Sequence, residues 1–273
     1  MVLLTTAFLA AGLPACSDQG PTATVTSRTV APTSSASAPT ALDLPAPELP
    51  APAQREPVPA PVATGSTPAA SPPPAVDRHS DPRSTDVVVN KRRPVVPHDY
   101  APANLRLPAV PAATDNALLH PDTAGAVEVM FAAAAEDGVG LVVVSGYRSF
   151  ATQESTYAYW VSEYGDPAAA DTVSARPGFS EHQTGLAFDI GQADGACTLR
   201  SCFAETAAAR WAAANAADFG AILRYPPGSS DITGFSAEPW HFRFVGVEVA
   251  QAMESAGTLT LEEHFGLPAA PSY

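Results

Sequence analysis

Apolar positions recur at helical spacing from Asp122 to Asp137, with Pro121 near the start and Gly138 just past the end, which predicts an amphipathic helix. Gly140 to Ser145 then switches to a continuous apolar run, Leu141-Val142-Val143-Val144, that predicts a buried strand leading into Gly146-Tyr147-Arg148-Ser149. A second helical pattern covers Phe150 to Tyr164, with Gly165 as its stop. Leu186 to Ile190 reads as a short strand carrying Asp189. Ala204 to Phe219 reads as an alanine-rich helix ended by Gly220. Ile222–Tyr225 and His241–Val245 complete the strands, and Gly246–Ala256 is a late helix. Helices come early, short strands are scattered and no βαβ repeat appears. The expected fold is therefore α+β, a small and mainly antiparallel sheet flanked by helices.

The same pattern is missing from Ser17 to about Asn90. That stretch is mostly Pro, Ala, Ser and Thr and holds no Phe, Tyr or Trp, so it cannot bury enough apolar surface to offset the entropy of ordering. The expected organisation is a leader over residues 1–16, a disordered linker over 17–90 and a single folded domain over 91–268. A proline-stiffened tether of that length could reach about 200 Å if extended at ~3.1 Å per residue. The net charge of −14, with no evident basic patch, argues against a nucleic-acid partner.

Val2 to Leu13 is apolar but too short for a membrane span, and it ends at Leu13-Pro14-Ala15-Cys16. This reads as an export signal resembling a bacterial lipobox, with Cys16 as the lipidated residue. No Lys or Arg precedes the apolar run, and Pro14 is unusual in a lipobox. The expected location is extracytoplasmic: anchored to the bacterial membrane through lipid and facing the cell wall. If Cys16 carries lipid, Cys197 and Cys202 remain, with four residues between them. In an oxidising compartment they can close a small loop; the alternatives are two free thiols or, less readily, a metal site.

Two segments concentrate the chemistry: Ser180-Glu181-His182-Gln183-Thr184-Gly185-Leu186-Ala187-Phe188-Asp189 and Glu238-Pro239-Trp240-His241. Together they supply two imidazoles, a carboxylate and a spare glutamate, the inventory of an open three-ligand zinc site with a general base beside it. Gly185 lets the backbone turn between His182 and Asp189. Pro239 excludes a regular central strand, so the chain must bend between Glu238 and His241. The other histidines, His79 in the linker and His98, His120 and His264, lack comparable company. No Ser-x-x-Lys, Gly-x-Ser-x-Gly, His-Glu-x-x-His or phosphate-binding glycine loop is present.

Ser-x-His-x-x-Gly-x-Ala-x-Asp, Glu-x-Trp-His and an upstream Ser-Gly-Tyr-Arg-Ser, in this order, resemble the VanY-type D-alanyl-D-alanine carboxypeptidases and related peptidoglycan L,D-carboxypeptidases, from about Asn90 to Ala256. The resemblance implies one Zn2+ per chain, on the face of the sheet, held by His182, Asp189 and His241. It implies Glu238 as catalytic base and Arg148 as oxyanion stabiliser, with Gln153 and Ser180 contacting substrate. The implied activity is release of the terminal D-Ala from peptidoglycan stem peptides. Rival readings keep the zinc chemistry but cut an L,D bond or act as an endopeptidase, or keep only a non-catalytic wall-binding module. Glu238 beside His241 argues against the last, since a purely structural site needs no base.

Overall fold

A computed structural model describes residues 77–273 apart from Asn116. The leader and Cys16 lie outside the described residues, as does the linker up to residue 76.

Helix α1 spans Pro121–Glu136, with proline at its first position and the His120 ring accepting from the Asp122 N–H. Thr123, Ala124, Val127, Met130, Phe131 and Ala134 form its buried stripe. Strand β1 (Leu141–Ser145) follows, then α2 (Phe150–Tyr164), capped by Ser149 and ended by Gly165 in the left-handed conformation at φ 67°. Helix α2 buries a single residue, Gln153. A short α3 (Pro167–Ala170) and a 3-10 turn (Glu181–Thr184) lead into β2 (Ala187–Gln192). The alanine-rich segment divides into a 3-10 turn (Ser201–Glu205), α4 (Ala207–Asn215) and a second 3-10 turn (Ala216–Phe219). Thr206 explains the division, since its hydroxyl accepts from the Ala209 N–H and starts α4 there. Strand β3 (Ala221–Leu223), α5 (Ser230–Thr233), β4 (His241–Phe244), α6 (Val247–Ala256) and α7 (Leu261–His264) complete the chain.

The four strands form one sheet in the order β1-β2-β4-β3, antiparallel at every pairing. The β2–β4 register pairs Phe188 with Phe242 and Asp189 with His241. Because strand side chains alternate between faces, Phe188 and Phe242 enter the core beneath α1 and α4 while Asp189 and His241 point the other way. One rung of the ladder thus separates core from chemistry.

The packed body is longer than composition suggests. Val87, Val88 and Val89 are each at most 2% exposed, and Ala270 near the other end is fully buried. The Arg243 guanidinium donates to the carbonyls of Val87 (2.6 Å) and Thr85 (3.0 Å), and Asn90 donates to Glu262 at 2.9 Å. His79, expected in the linker, stacks on Phe265 at 4.2 Å and bonds the Asp86 carbonyl. Packing therefore reaches back to residue 77 and on to Tyr273, beyond the expected 91–268. A valine triplet is too short a signal against a proline-rich background to reveal this.

Candidate active site

His182 sits in the 3-10 turn before β2, Asp189 on β2 and His241 at the start of β4. Gly185 makes the tight return possible. Its φ of 68° suits glycine, and a Cβ there would lie 3.0 Å from the His120 backbone nitrogen. The result is a buried trio whose ligand atoms lie within 4.8 Å of one another. His182 Nε2 is 3.5 Å from Asp189 Oδ2, and His241 Nδ1 is 3.3 Å from Asp189 Oδ1.

The two imidazoles present different nitrogens, and the reason is visible behind each ring. His182 Nδ1 donates to the Gly146 carbonyl at 2.7 Å, which leaves the Nε2 lone pair facing inward. His241 has its Nε2 turned toward Glu181 Oε2 at 3.7 Å, so Nδ1 faces the trio. Position 146 has room only for glycine, since a side chain there would collide with the Leu118 carbonyl.

Glu238 lies on the turn before β4, and its Oε2 is 3.4 Å from His241 Nδ1 with the side chain 15% exposed. Burial raises its pKa to about 7, with Asp189 and Glu181 adding to the shift and His241 and Arg148 opposing it. That is where a general base works best near neutrality. Burial lowers His182 to about 3, helped by the charge of Arg148, so its ring is neutral. For His241 burial acts downward, but Asp189, Glu181 and Glu238 outweigh it and raise the pKa to about 9. Asp189 falls to about 2 because neighbouring positive charge overcomes burial.

Arg148 projects into the same cleft, its backbone N–H tied to the His182 carbonyl at 3.1 Å. Its guanidinium donates to Gln153 Oε1 (3.0 Å) and Ser145 Oγ (3.2 Å). Gln153, expected to contact substrate, is 1% exposed, and its amide nitrogen is engaged by the Ala175 carbonyl at 2.6 Å. It orients Arg148 from behind. Ser180 does line the cleft, as do Tyr225, Phe235 and Trp240. A disulfide joins Cys197 and Cys202.

Sequence reasoning missed the support beneath this site. Glu181 is fully buried and accepts from Arg224 Nε and Arg243 Nη1, both at 2.9 Å, while Arg224 also bonds Glu262 at 2.8 and 3.0 Å. Burial resists the charge on Glu181, yet the two arginines hold its carboxyl far below the ordinary range. Arg224 and Arg243 each sit among apolar neighbours in Ala221–Tyr225 and His241–Val245, a pattern that hints at buried charge but names no partner.

The donor set fits a divalent zinc-like ion. Asp189 Oδ1, buried within the trio, has no hydrogen-bond partner among the described residues, and two imidazoles with one carboxylate suit zinc. Residues 116–247 match the family VanY, D-alanyl-D-alanine carboxypeptidase. The chain is 38% identical over 189 residues to the Bacillus subtilis protein YodJ, named as a carboxypeptidase, covering 68% of each. It is similar to the solved structure of the LdcB LD-carboxypeptidase, with TM-score 0.63 and 38% identity over 68% of this chain and 87% of that one. A mutant of the vancomycin-resistance D,D-pentapeptidase VanY in complex with Zn(II) gives TM-score 0.53 and 36% identity, covering 66% and 97%.

Proposed function

This chain belongs to the VanY family of D-alanyl-D-alanine carboxypeptidases, and from that premise we propose that it is an exported, zinc-dependent enzyme releasing D-alanine from peptidoglycan stem peptides. The observation that carries the reading is Glu238 Oε2 standing 3.4 Å from His241 Nδ1, beside a trio of buried ligand atoms that opens into a cleft of about 500 Å³.

His182 through Nε2, His241 through Nδ1 and Asp189 through its carboxylate would hold one zinc ion. When bound, zinc polarises the scissile carbonyl and makes its water far more acidic. Glu238 accepts the proton of the attacking water on its carboxylate and passes it to the departing amine nitrogen. Arg148, held by Gln153 and Ser145, faces the carbonyl oxygen as negative charge develops there, and a guanidinium stays charged throughout. The buried walls around the trio limit competing water.

Mass spectrometry of a defined pentapeptide stem tests this directly. Loss of one terminal D-alanine by the wild type, and a rate lower by about 10²–10⁴-fold in Glu238→Gln with metal still bound, is expected. Turnover unchanged in the variant would sink the mechanism. The likeness to LdcB supports a second reading, cleavage of the L,D bond of a tetrapeptide, and a tetrapeptide substrate in the same assay separates the two. Export and lipidation at Cys16 are part of the proposal, and the Cys197–Cys202 disulfide is consistent with an oxidising compartment. Cys16→Ser should move the protein from the membrane fraction to the medium.

A further inference from the structure

Besides the candidate metal trio, the cleft is lined by two segments that the catalytic chemistry does not use. One is the C-terminal half of α2, with Trp160 and Tyr164; the other is Leu199, Arg200 and Ser201 of the loop closed by the disulfide. Helix α2 sends no aromatic residue into the core. Instead Trp160 stacks on Tyr164 at 5.8 Å and meets Tyr159 edge-on at 5.2 Å, a ledge kept at the surface of the cleft.

The loop closed by the disulfide is held in one shape. Cys197 and Leu199 adopt positive φ, 57° and 52°, where non-glycine residues are uncommon. The disulfide, the Arg200 N–H to Cys197 carbonyl bond at 3.1 Å and the fully buried Phe203 fix the conformation. Among the described residues the Arg200 side chain makes no hydrogen bond or ion pair with another residue, although the protein carries a net charge of −14. It is also the one charged group on this part of the lining: the remaining charges, Arg148, Glu181, Asp189, Glu238 and the two histidines, belong to the catalytic end.

From this we infer that Arg200 reads a carboxylate on a side chain of the bound peptide, selecting stems whose third residue is a diamino dicarboxylic acid over stems with lysine there. The inference rests on the stem-peptide reading given above. A planar guanidinium matches the extra carboxylate with two parallel hydrogen bonds, whereas lysine carries the ammonium without it and leaves Arg200 facing only like charge. The aromatic ledge covers the aliphatic part of that side chain, which both residues share.

The test uses two synthetic pentapeptides identical except at the third residue, lysine in one and the diamino dicarboxylic acid with a free side-chain carboxylate in the other. The wild-type protein should favour the dicarboxylic peptide about tenfold in kcat/KM, mainly through KM. Arg200→Gln should erase that preference, chiefly by lowering kcat/KM on the dicarboxylic peptide. Equal kcat/KM for both peptides in the wild type, or a preference that survives in Arg200→Gln, overturns the inference. Equilibrium binding of the same peptides to Glu238→Gln protein reads the selection without turnover. If neither peptide loses D-alanine, the catalytic reading fails; the inference then stands if that binding still discriminates about tenfold and falls if it does not.

Discussion

Replacing Glu181 by Gln removes one negative charge from the layer under the candidate metal trio. Its Oε1 accepts from Arg224 and Arg243 at 2.9 Å, and its Oε2 faces His241 Nε2 at 3.7 Å, with all of these side chains at most 6% exposed. Arg224 retains Glu262 after the change, but Arg243 is left with the carbonyls of Val87, Thr85 and Phe244 and no carboxylate. Breaking a buried pair in this way costs about 3–5 kcal/mol, a large part of the ~5–15 kcal/mol that holds a typical domain together. For a domain of this size each kcal/mol moves Tm by about 2–4 °C, so a fall of about 6–20 °C is expected by circular dichroism or calorimetry. Arg106–Glu128 is the control: it is a partly exposed pair, and Glu128→Gln should cost no more than ~1 kcal/mol. Zinc titration gives the second readout, because an unsupported His241 should bind metal about 10–100-fold more weakly. A Glu181→Gln protein that melts within about 2 °C of wild type and binds zinc equally would refute the argument that this carboxylate holds both the core and the ligand.

Other outcomes follow from the same structure. Burial pushes Glu262 upward, but Arg224 and Asn90 outweigh it and hold it below 4.5, as the arginines do for Glu181. Carboxylates depressed on folding contribute fully above their unfolded pKa and lose that contribution as pH falls, so the share of Tm that Glu181 and Glu262 supply should be constant above about pH 5 and fall away below about 4.5. Glu262→Gln should flatten that acid limb in a series of melts, and an unchanged limb would count against the assignment. Reducing Cys197–Cys202, or making the double serine variant, should cost about 2 kcal/mol from loop-closure entropy, read by denaturant unfolding. Gln153→Ala should lower kcat more than it changes KM, since it frees Arg148 without altering the cleft lining; a pure KM effect would contradict the positioning role. Stoichiometric zinc should raise the Tm of chelator-treated protein, because Asp189 Oδ1, buried in the trio, otherwise has no hydrogen-bond partner among the described residues; a Tm that zinc leaves unchanged would count against the site.

Much of the fold was legible because its signals are local. Helix α2 runs over the expected Phe150–Tyr164 and stops at the expected Gly165, and the structure adds Ser149 as its cap, since a capping hydroxyl and a left-handed glycine act within one turn of the helix they end. The strand around Asp189 and the one beginning at His241 were readable from short apolar runs. Helix α4 was read too long, because an alanine-rich run has helical propensity throughout and only Thr206 and the tightening at Ala216 divide it. The N-terminal boundary was missed for another reason. Val87–Val89 gain their burial from β4 and from Arg243, which lies 156 residues from the carbonyl it grips.

By itself the sequence determined which side chains could do chemistry: His182 and Asp189 on either side of a glycine turn, and Glu238 and His241 on either side of a proline bend. Those pairings need only local backbone geometry. The tertiary structure alone decided how they meet. The β2–β4 register sets Asp189 opposite His241, and Glu181 reaches Arg224 and Arg243 across 43 and 62 residues. It turned Gln153 from a substrate contact into a prop for Arg148. It also set Arg200, which has no side-chain partner among the described residues, on the lining of the cleft. Charge partners separated by tens of residues leave no periodicity in the chain, so only folding reveals which arginine answers which glutamate.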